Sequence, residues 1–392
     1  MVDVNPQKID ELLKKNVEAV YPSPDLLKKK LLSGKKIRLY CGYDPSSPFL
    51  HIGHLASFKK LAEFQALGHE AIMLIGDFTG MIGDPTGKKS ARKKLSRKEV
   101  LKNSLRYKDI AEKILNFKGP NPAQVLYNSK WLDKVSFAEL IDLASNFTVQ
   151  QMIIRDMFQE RIKEKKPIFL HEFLYPLAQA YDSIAMDVDL EIGGNDQIFN
   201  MFCGRDLMKA LKKKEKFILA LKLLVDVQGN KMGKSEGNAV SISEDPKETR
   251  KQIMMIDDGL IGPVAEACTD LSVLELNKLN PIKAKEILAD SIISLIYSKK
   301  ESEKTKKEFS SVFMEGNLPS EMPSIKIKES ELNILELLSR TGLVSSKSDA
   351  KRLVTQNGVK IDGKIFNDWK KEVAVRKGMV IQVGKGKFAK IS

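Results

Sequence analysis

Histidine and cysteine are scarce in this chain of 392 residues, which has four histidines and three cysteines. Cys41, Cys203 and Cys268 show neither the spacing of a metal or redox motif nor a disulfide framework. No apolar run approaches the ~18 residues that a membrane-spanning helix needs. The N-terminal residues 1–16 lack the apolar core of a signal peptide and the arginines of a transit peptide. These absences argue against secreted and membrane-embedded classes and predict a protein of the reducing cytoplasm.

Positive charge is abundant and unevenly placed. The chain carries a formal net charge of +14. Residues 331–392 contain 13 Lys and Arg against 6 Asp and Glu, a net of +7, which is half of that charge. A basic segment of this kind indicates a polyanionic partner, most simply RNA. A basic surface that only favours solubility is the alternative, and charge alone does not separate the two.

Two of the four histidines lie three residues apart, at the predicted start of a helix. His51 and His54 follow a strand-like run, residues 37–41, and a turn at Asp44-Pro45. A helix N-terminus offers free N–H groups and the positive end of its dipole, which suits a phosphate. Gly53 would let a base or ribose approach the backbone. Two ordinary histidines at a helix start remain an alternative, whereas no partner residues support a zinc pair.

The pattern around this pair predicts the opening unit of a nucleotide-binding fold. Leu55, Phe58, Leu61 and Phe64 are spaced three apart, which indicates a helix, and Gly68 would end it. The apolar run 71–75 then reads as a buried parallel strand. Strand, helix and strand in this order are typical of an α/β sheet that binds nucleotides.

Two lysine-rich stretches could contact phosphates. Residues 231–238 read Lys-Met-Gly-Lys-Ser-Glu-Gly-Asn, a cationic loop that could fold over a polyphosphate. Residues 88–98 have seven cations among eleven residues. Taken alone, each stretch is more typical of a solvated loop.

A polar stripe marks one face of a further helix. Tyr175, Gln179 and Asp182 stand at positions i, i+4 and i+7, so they share a face that must meet solvent, a partner or a ligand. An amphipathic surface helix is the simpler explanation of the segment on its own.

Taken together, these motifs resemble a known family. His51-Ile-Gly-His54 and Lys231-Met-Gly-Lys-Ser235 resemble the two signatures of class I aminoacyl-tRNA synthetases, with Gly233 in place of the usual central Ser. The segment 175–182, together with residues 193–197 and 83–88, is similar to bacterial tyrosyl-tRNA synthetases. The resemblance runs nearly end to end.

The resemblance implies a tyrosine pocket, an ATP site and a set of catalytic groups. Tyrosine is expected to contact Tyr40, Thr79, Asp84, Tyr175, Gln179, Asp182 and Gln197, with Tyr40 and Asp182 bracketing the phenolic hydroxyl. ATP is expected to contact Cys41, Gly42, Asp44, His51, Gly53, His54, Ser57, Gly194, Asp196, Lys231 and Lys234. The expected catalytic groups are His51, His54, Lys88, Arg92, Lys231, Lys234 and Ser235. Mg²⁺ would accompany ATP without a dedicated protein site.

The same resemblance implies an α/β, Rossmann-like catalytic domain followed by an α-helical domain and a small α+β RNA-binding domain. The expected boundaries are 1–240, 241–325 and 331–392, with a linker at 315–330. Residues 126–165 would form a dimerisation insertion, although ordinary core packing explains them equally well. In the last domain, Lys347, Lys351 and Arg352 are the expected phosphate contacts. The expected partners are tRNA(Tyr), L-tyrosine, ATP and a second copy of the chain.

Three other functions remain open at this point. A nucleotidyl transferase acting on a small metabolite could share the histidine motif. A catalytically idle paralogue could bind structured RNA. A tryptophan-specific relative is the nearest enzymatic rival, and the combination of Tyr40 with Asp182 argues against it.

Overall fold

The computed structural model describes residues 2–86, 95–226, 228–229, 231–232, 240–314, 317–319, 322–384 and 386–392. The chain forms two compact units, residues 1–299 and 300–392. The three-domain division expected from the sequence stays a prediction. Within the described part of the chain, none of the helices combines the length and the apolar content that crossing a lipid bilayer requires.

The first unit is built on a central sheet with helices around it. Its strands are β1 (Val17–Tyr21), β2 (Arg38–Tyr43), β3 (Leu50–His51), β4 (Glu70–Ile75), β5 (Gln124–Tyr127), β6 (Leu190–Gly194), β7 (Phe217–Leu221) and β8 (Ser241–Ile242). The main sheet has the order β1-β7-β6-β2-β4-β5, and only the β1–β7 pair is antiparallel. Strands β3 and β8 form a separate antiparallel pair.

Helices surround this sheet in the first unit. They are α1 (Pro6–Lys14), α2 (Pro24–Leu32), α3 (Ile52–Ala66), α4 (Thr79–Ile82), α5 (Arg97–Ala111), α6 (Ser129–Leu132), α7 (Phe137–Ala144), α8 (Val149–Ile153), α9 (Asp156–Lys163), α10 (Leu170–Met186), α11 (Ile198–Lys212), α12 (Pro246–Met254), α13 (Ile261–Cys268), α14 (Val273–Leu276) and α15 (Pro281–Ile296). The predicted strand–helix–strand unit is confirmed as β2, α3 and β4, and with it the α/β fold class.

The strand order explains where a ligand can bind. From β2 the chain passes through α3 to β4 on one side, whereas β6 lies on the other side of β2. In open parallel sheets, ligands bind outside the carboxyl ends of the strands where the order reverses. Strands β4 and β7 are almost entirely buried, as expected of parallel strands covered on both faces. The sheet therefore provides a rigid base for a site beyond the ends of β2 and β6.

The second unit combines short helices with a small sheet. Its helices are α16 (Lys299–Phe309), α17 (Ile334–Arg340) and α18 (Lys347–Thr355), and its strands are β9 (Ser324–Ile325), β10 (Glu331–Asn333), β11 (Val359–Ile361), β12 (Lys364–Ile365), β13 (Glu372–Ala374), β14 (Val380–Val383) and β15 (Lys387–Ile391). The sheet order is β12-β11-β14-β15-β9, and β10 pairs with β13. In the sequence, Asp362-Gly363 between the runs 359–361 and 364–366 predicts a tight hairpin. The structure confirms it, because Asp362 and Gly363 both have positive φ angles, 47° and 81°, as a two-residue turn requires.

Three predictions about this region are wrong: that the lysine-rich run 299–307 is a polar connection, that 315–330 is a linker, and that Leu332 belongs to a short helix. Residues 299–307 lie in α16. The buried positions of this helix hold Ser302 and Thr305 rather than apolar residues, so the sequence shows no apolar periodicity there. The predicted linker contains β9, which pairs in parallel with β15 and is too short to give a periodic signal. Leu332, expected in a helix, lies in β10.

The segment 126–165 has buried and exposed apolar residues. Leu143 and Met152 are buried in a cluster with residues of α10 and α11. Phe137 and Ile141, one turn apart on α7, are 79% and 55% exposed, and Val149 and Ile154 are 69% and 70% exposed. Core packing therefore accounts for some of these residues, and the exposed ones form an apolar surface that needs another explanation.

Candidate active site

A cavity of about 1070 Å³ opens at the carboxyl ends of β2 and β6. Its walls also include residues that follow β4 and β7. Every described residue of the expected tyrosine, ATP and catalytic sets lines this cavity: Tyr40, Cys41, Gly42, Asp44, His51, Gly53, His54, Ser57, Thr79, Asp84, Tyr175, Gln179, Asp182, Gly194, Asp196, Gln197 and Lys231. The fold thus brings together residues that are up to 191 positions apart in sequence.

Four expected catalytic residues, Lys88, Arg92, Lys234 and Ser235, lie outside the described residues, as does Gly233. Lys347, Lys351 and Arg352 belong to the second unit, where Lys351 and Arg352 line a shallow groove on α18.

The two motif histidines cap the start of α3. The Gly53 N–H donates to His51 Nδ1 at 3.1 Å, and the His51 N–H donates to His54 Nδ1 at 3.2 Å. Burial lowers the pKa of His51 to about 4, with a further contribution from the charge of Lys231. Burial and then His51 hold the pKa of His54 well below its usual value. Both rings are therefore neutral at pH 7, and because each Nδ1 accepts, each Nε2 carries the proton and can donate.

Gly53 has a defined steric role between these rings. A Cβ atom built at this position would lie 2.9 Å from two atoms of the His51 ring, closer than side chains normally pack. The glycine lets the His51 ring fold back over the first turn of the helix. The His51 ring can both cap the helix and contact a ligand, because the cap uses only Nδ1.

One part of the cavity wall presents a buried carboxyl group beside a phenol. Trp131 Nε1–H donates to Asp182 Oδ1 at 2.7 Å, and Asn128 Nδ2 donates to Oδ2 at 3.3 Å. Burial raises the pKa of Asp182 well above its usual range, while these two donors oppose that shift. The Tyr40 hydroxyl lies 3.1 Å from Ser183 Oγ, and burial raises its pKa, so it stays protonated. This wall therefore offers a hydrogen-bond donor and an acceptor.

A second part of the wall is a set of acidic groups held by donors. Asp44 accepts hydrogen bonds from the hydroxyls of Thr79, at 2.7 Å, and Tyr175, at 2.9 Å. Asp84 Oδ2 accepts from Gln197 Nε2 at 2.8 Å. These contacts fix carboxylates at the cavity surface, an arrangement suited to a cationic group such as an ammonium.

The remaining wall carries the cation Lys231, whose ammonium group forms an ion pair with Asp196 at 2.5 Å. Ser57 donates its hydroxyl proton to the His54 carbonyl at 2.8 Å and accepts from Tyr43. Only an acceptor is left on Ser57, so it does not offer a phosphate a proton. Burial raises the pKa of the Cys41 thiol to about 12, which keeps it neutral and makes it a poor nucleophile.

Several residues of this site were missed or misplaced from the sequence. Trp131 packs against a buried apolar cluster, which was one of its two expected roles, but its indole N–H also donates to Asp182, which was not expected. Glu191 and Lys216 form a buried ion pair next to Tyr40 and Gln179. A charged residue within the apolar strand β6 could have signalled Glu191. Lys216 follows several other lysines, and nothing in the sequence distinguishes it from them.

Two family models together match residues 32–391 of this chain. Residues 32–314 match the model of tRNA synthetases class I (W and Y), and residues 314–391 match the tyrosine–tRNA ligase SYY-like C-terminal domain. The tyrosine–tRNA ligase of Moorella thermoacetica is 40% identical over 393 residues, covering 97% of this chain and 94% of its own. That of Aquifex aeolicus is 38% identical over 393 residues, covering 99% of both chains.

Solved structures agree on the fold. A C-terminally truncated mitochondrial tyrosyl-tRNA synthetase of Aspergillus nidulans has a TM-score of 0.66 at 21% identity, covering 78% of this chain and 94% of its own. The Archaeoglobus fulgidus tyrosyl-tRNA synthetase, solved with L-tyrosine, has a TM-score of 0.60 at 21% identity, covering 77% of this chain and 100% of its own. With the motifs and the near full-length relatives, these findings establish that the chain belongs to the tyrosine–tRNA ligases, a family of class I aminoacyl-tRNA synthetases.

Proposed function

We propose that this chain activates L-tyrosine with ATP to tyrosyl-adenylate and pyrophosphate, and then transfers tyrosine to the terminal adenosine of tRNA(Tyr). One observation carries the proposal. A single cavity is lined both by a phenol–carboxyl pair, Tyr40 and Asp182, and by the neutral histidine pair at the start of α3. The first pair suits a phenolic hydroxyl, and the second suits a phosphate.

In the proposed tyrosine site, the phenolic oxygen accepts from Tyr40 and its proton is donated to Asp182. The ammonium group is held by Tyr175, Gln179 and Asp84, with Thr79 nearby, and Gln197 lies near the carboxylate. A phenylalanine side chain would leave the buried polar groups at the phenol end unpaired, which is the physical origin of selectivity.

The tyrosine carboxylate attacks the α-phosphorus of ATP in line, and pyrophosphate leaves. No protein nucleophile is needed, so the chain acts by positioning the reactants and stabilising charge. His51 and His54 donate from Nε2 to phosphate oxygens, while Gly42, Gly53 and Gly194 leave room for the nucleotide. Asp44 and Ser57 lie beside it, and Cys41 and Asp196 reach the ribose.

The leaving pyrophosphate requires cations. Lys231 supplies one at the cavity wall, and the motif assigns the others to Lys88, Arg92 and Lys234, with Ser235 as a hydroxyl donor. Mg²⁺ enters as part of the ATP substrate and is held by phosphate oxygens and water.

Amino-acid-dependent exchange of labelled pyrophosphate into ATP tests this proposal, with tyrosine, phenylalanine and tryptophan offered separately. Exchange with tyrosine alone is the expected result. Exchange with tryptophan would preserve the mechanism but overturn the assigned pocket. Absence of exchange with all three would favour an RNA-binding paralogue, and exchange with a small metabolite instead would favour another nucleotidyl transferase.

We assign tRNA binding to three parts of the chain: 1–240 for the acceptor end, the helical residues 241–325 for the anticodon, and the basic residues 331–392. In the last part, the Lys351 ammonium lies 4.0 Å from the centre of the Trp369 ring. This cation–π contact holds the ammonium group on the exposed face of α18. Lys347 begins the same helix, and Arg352 pairs with Asp349 at 2.6 Å. These cations support contacts with phosphates.

Changing Lys351→Gln together with Arg352→Gln should weaken tRNA(Tyr) binding and reduce the salt dependence of the binding constant by about two phosphate contacts. Tyrosine-dependent exchange should be unchanged, because the cavity lies in the first unit. Filter binding over a salt series measures the first effect. Lys118→Gln, an exposed charge in the first unit, is the matched control, and equal slopes for all variants would contradict the assignment.

We also propose a homodimer formed through the exposed apolar residues of 126–165. Changing Phe137→Asp together with Ile141→Asp should convert the protein to a monomer, because two buried charges would face the partner's apolar surface. Sedimentation velocity measures the change. Leu274→Asp, at a residue that is 76% exposed on α14, is the control and should leave the dimer intact. A dimer that survives the double change would overturn this interface.

A cytoplasmic location is supported by the cysteines, all three of which are buried and free.

A further inference from the structure

A buried ion pair lies behind the phenol end of the cavity. The Lys216 side chain, which precedes β7, is 0% exposed, and Glu191 in β6 is 2% exposed. Lys216 Nζ donates to Glu191 Oε2 and, at 3.0 Å, to Ser183 Oγ. The other Glu191 oxygen accepts from Gln179 Nε2 at 2.9 Å. The pair therefore contacts the expected substrate-binding residue Gln179 directly and Tyr40 through Ser183.

The direction of the hydrogen bonds follows from the ammonium group. An ammonium can only donate, so Ser183 Oγ must accept from Lys216. Among the described contacts of Ser183 Oγ, the remaining partner is the Tyr40 hydroxyl at 3.1 Å, and this is where the serine proton can go. A Tyr40 oxygen that accepts from Ser183 keeps its own proton for the cavity. Lys216 thereby favours one polarity of the Tyr40–Ser183 contact.

The ammonium also acts on Glu191, the second inner acceptor near Tyr40. Burial, followed by the charges of Glu191 and Asp182, raises the pKa of Tyr40. Glu191 therefore attracts the phenolic proton inward, whereas Asp182 attracts it toward the cavity. A directly bonded cation weakens the attraction to Glu191. Lys216 thus opposes both routes by which the Tyr40 proton could turn away from the cavity.

A glycine in the neighbouring helix α11 leaves space for this ammonium group. Gly204 lies within α11, where a Cβ atom would meet Lys216 Nζ at 2.4 Å and Ser183 Oγ at 2.9 Å. A side chain at this position would displace one or both groups. The glycine, the lysine and the serine form a fitted arrangement, which a lysine buried by chance would not require.

We propose that Lys216 is a positioning residue for substrate selectivity: by donating to Ser183 and Glu191, it directs the Tyr40 proton toward the phenolic oxygen of tyrosine. This inference rests on the proposed function. It gives Lys216, which lies outside the motifs, the role of keeping Tyr40 a hydrogen-bond donor.

The test compares kcat/KM for tyrosine and for phenylalanine in pyrophosphate exchange. Lys216→Met should lower the tyrosine-to-phenylalanine ratio about 10- to 100-fold, almost entirely through tyrosine, because the donated hydrogen bond is lost. In a Tyr40→Phe background the same change should cause no further loss of selectivity, because Lys216 acts through the Tyr40 hydroxyl. An equal loss in both backgrounds would overturn the proposal.

Ser183→Ala gives a second test, in which Glu191 keeps its ion pair with Lys216. Removing an inner acceptor leaves the Tyr40 proton directed at the cavity, so selectivity should stay within about threefold of the parent. A large loss would show that Ser183 only anchors the tyrosine ring, and would overturn the proposal even if Lys216→Met did not fold.

Arg161→Met is the control for damage from an unpaired buried carboxylate, because Arg161 and Glu172 form a buried ion pair at 2.6 Å and neither residue lines the cavity. It should lower thermal stability without changing selectivity. Measurements on the parent protein distinguish a failure of the proposed function from a failure of the role assigned to Lys216. No tyrosine-dependent exchange in the parent would overturn the proposed function, whereas a selective parent with an equally selective Lys216→Met variant would overturn only the role of Lys216.

Discussion

Asp182→Asn should reduce kcat/KM for tyrosine activation by about 10²- to 10³-fold, with kcat/KM for phenylalanine nearly unchanged. Both carboxylate oxygens accept hydrogen bonds, from Trp131 and from Asn128, so an amide would turn its own N–H₂ toward one of these donors. A buried donor left unpaired costs about 1–3 kcal/mol, and the lost hydrogen bond to the substrate hydroxyl costs about 0.5–1.5 kcal/mol. Together these losses give the expected factor. Tyrosyl-tRNA synthetases are themselves the known example of such hydroxyl-based selectivity, at about 10⁵ against phenylalanine.

The measurement is pyrophosphate exchange with both amino acids, alongside thermal unfolding. Asp187→Asn is the matched control, because Asp187 lies at the end of the same helix, is exposed, and has a left-handed backbone that asparagine readily adopts. This control should behave like the parent. Retention of tyrosine selectivity in Asp182→Asn would remove Asp182 from the phenol site.

Local spacing predicted the parts of this site that lie on one element. Tyr175, Gln179 and Asp182 share the face of α10 that lines the cavity, as their spacing required, and the histidine pair begins α3. Strand β4 was recognisable because a buried parallel strand is apolar throughout. These features depend on periodicity and on turn chemistry, and both are determined by residues that are close in sequence.

Partners from distant elements could not be predicted in the same way. Asn128 and Trp131 reach Asp182 because β5 pairs with β4 in the sheet and leads directly into Asn128 and α6. Lys216 is one lysine among several, and its burial depends on a glycine in α11. Pairings of this kind are set by tertiary packing, so a sequence pattern carries no signal for them beyond an unusual charge within a strand, such as Glu191.

Removal of the His54 ring should have the second large effect. His54→Ala should lower kcat for adenylate formation about 10²- to 10³-fold while changing KM for tyrosine little, because the donated hydrogen bond strengthens as charge develops on the phosphate. The ring is a neutral donor, since burial holds its pKa well below the usual value. Its charge therefore does not change as the pH rises from about 6 to 8, and kcat should show no titration attributable to it.

Comparing two amide variants tests whether the Nε2 proton is responsible. The amide nitrogen of glutamine can lie close to the position of histidine Nε2, whereas that of asparagine lies close to Nδ1. His54→Gln should therefore retain at least ten times the kcat of His54→Asn in single-turnover adenylate formation. The two variants differ at the start of α3, because the asparagine oxygen can lie close to Nδ1 and still accept from the His51 N–H, which favours the stability of His54→Asn by about 1 kcal/mol. Thermal unfolding of both variants measures that difference separately from the rate. Equal rates for the two variants would assign His54 to capping the helix and leave phosphate stabilisation to His51 and Lys231.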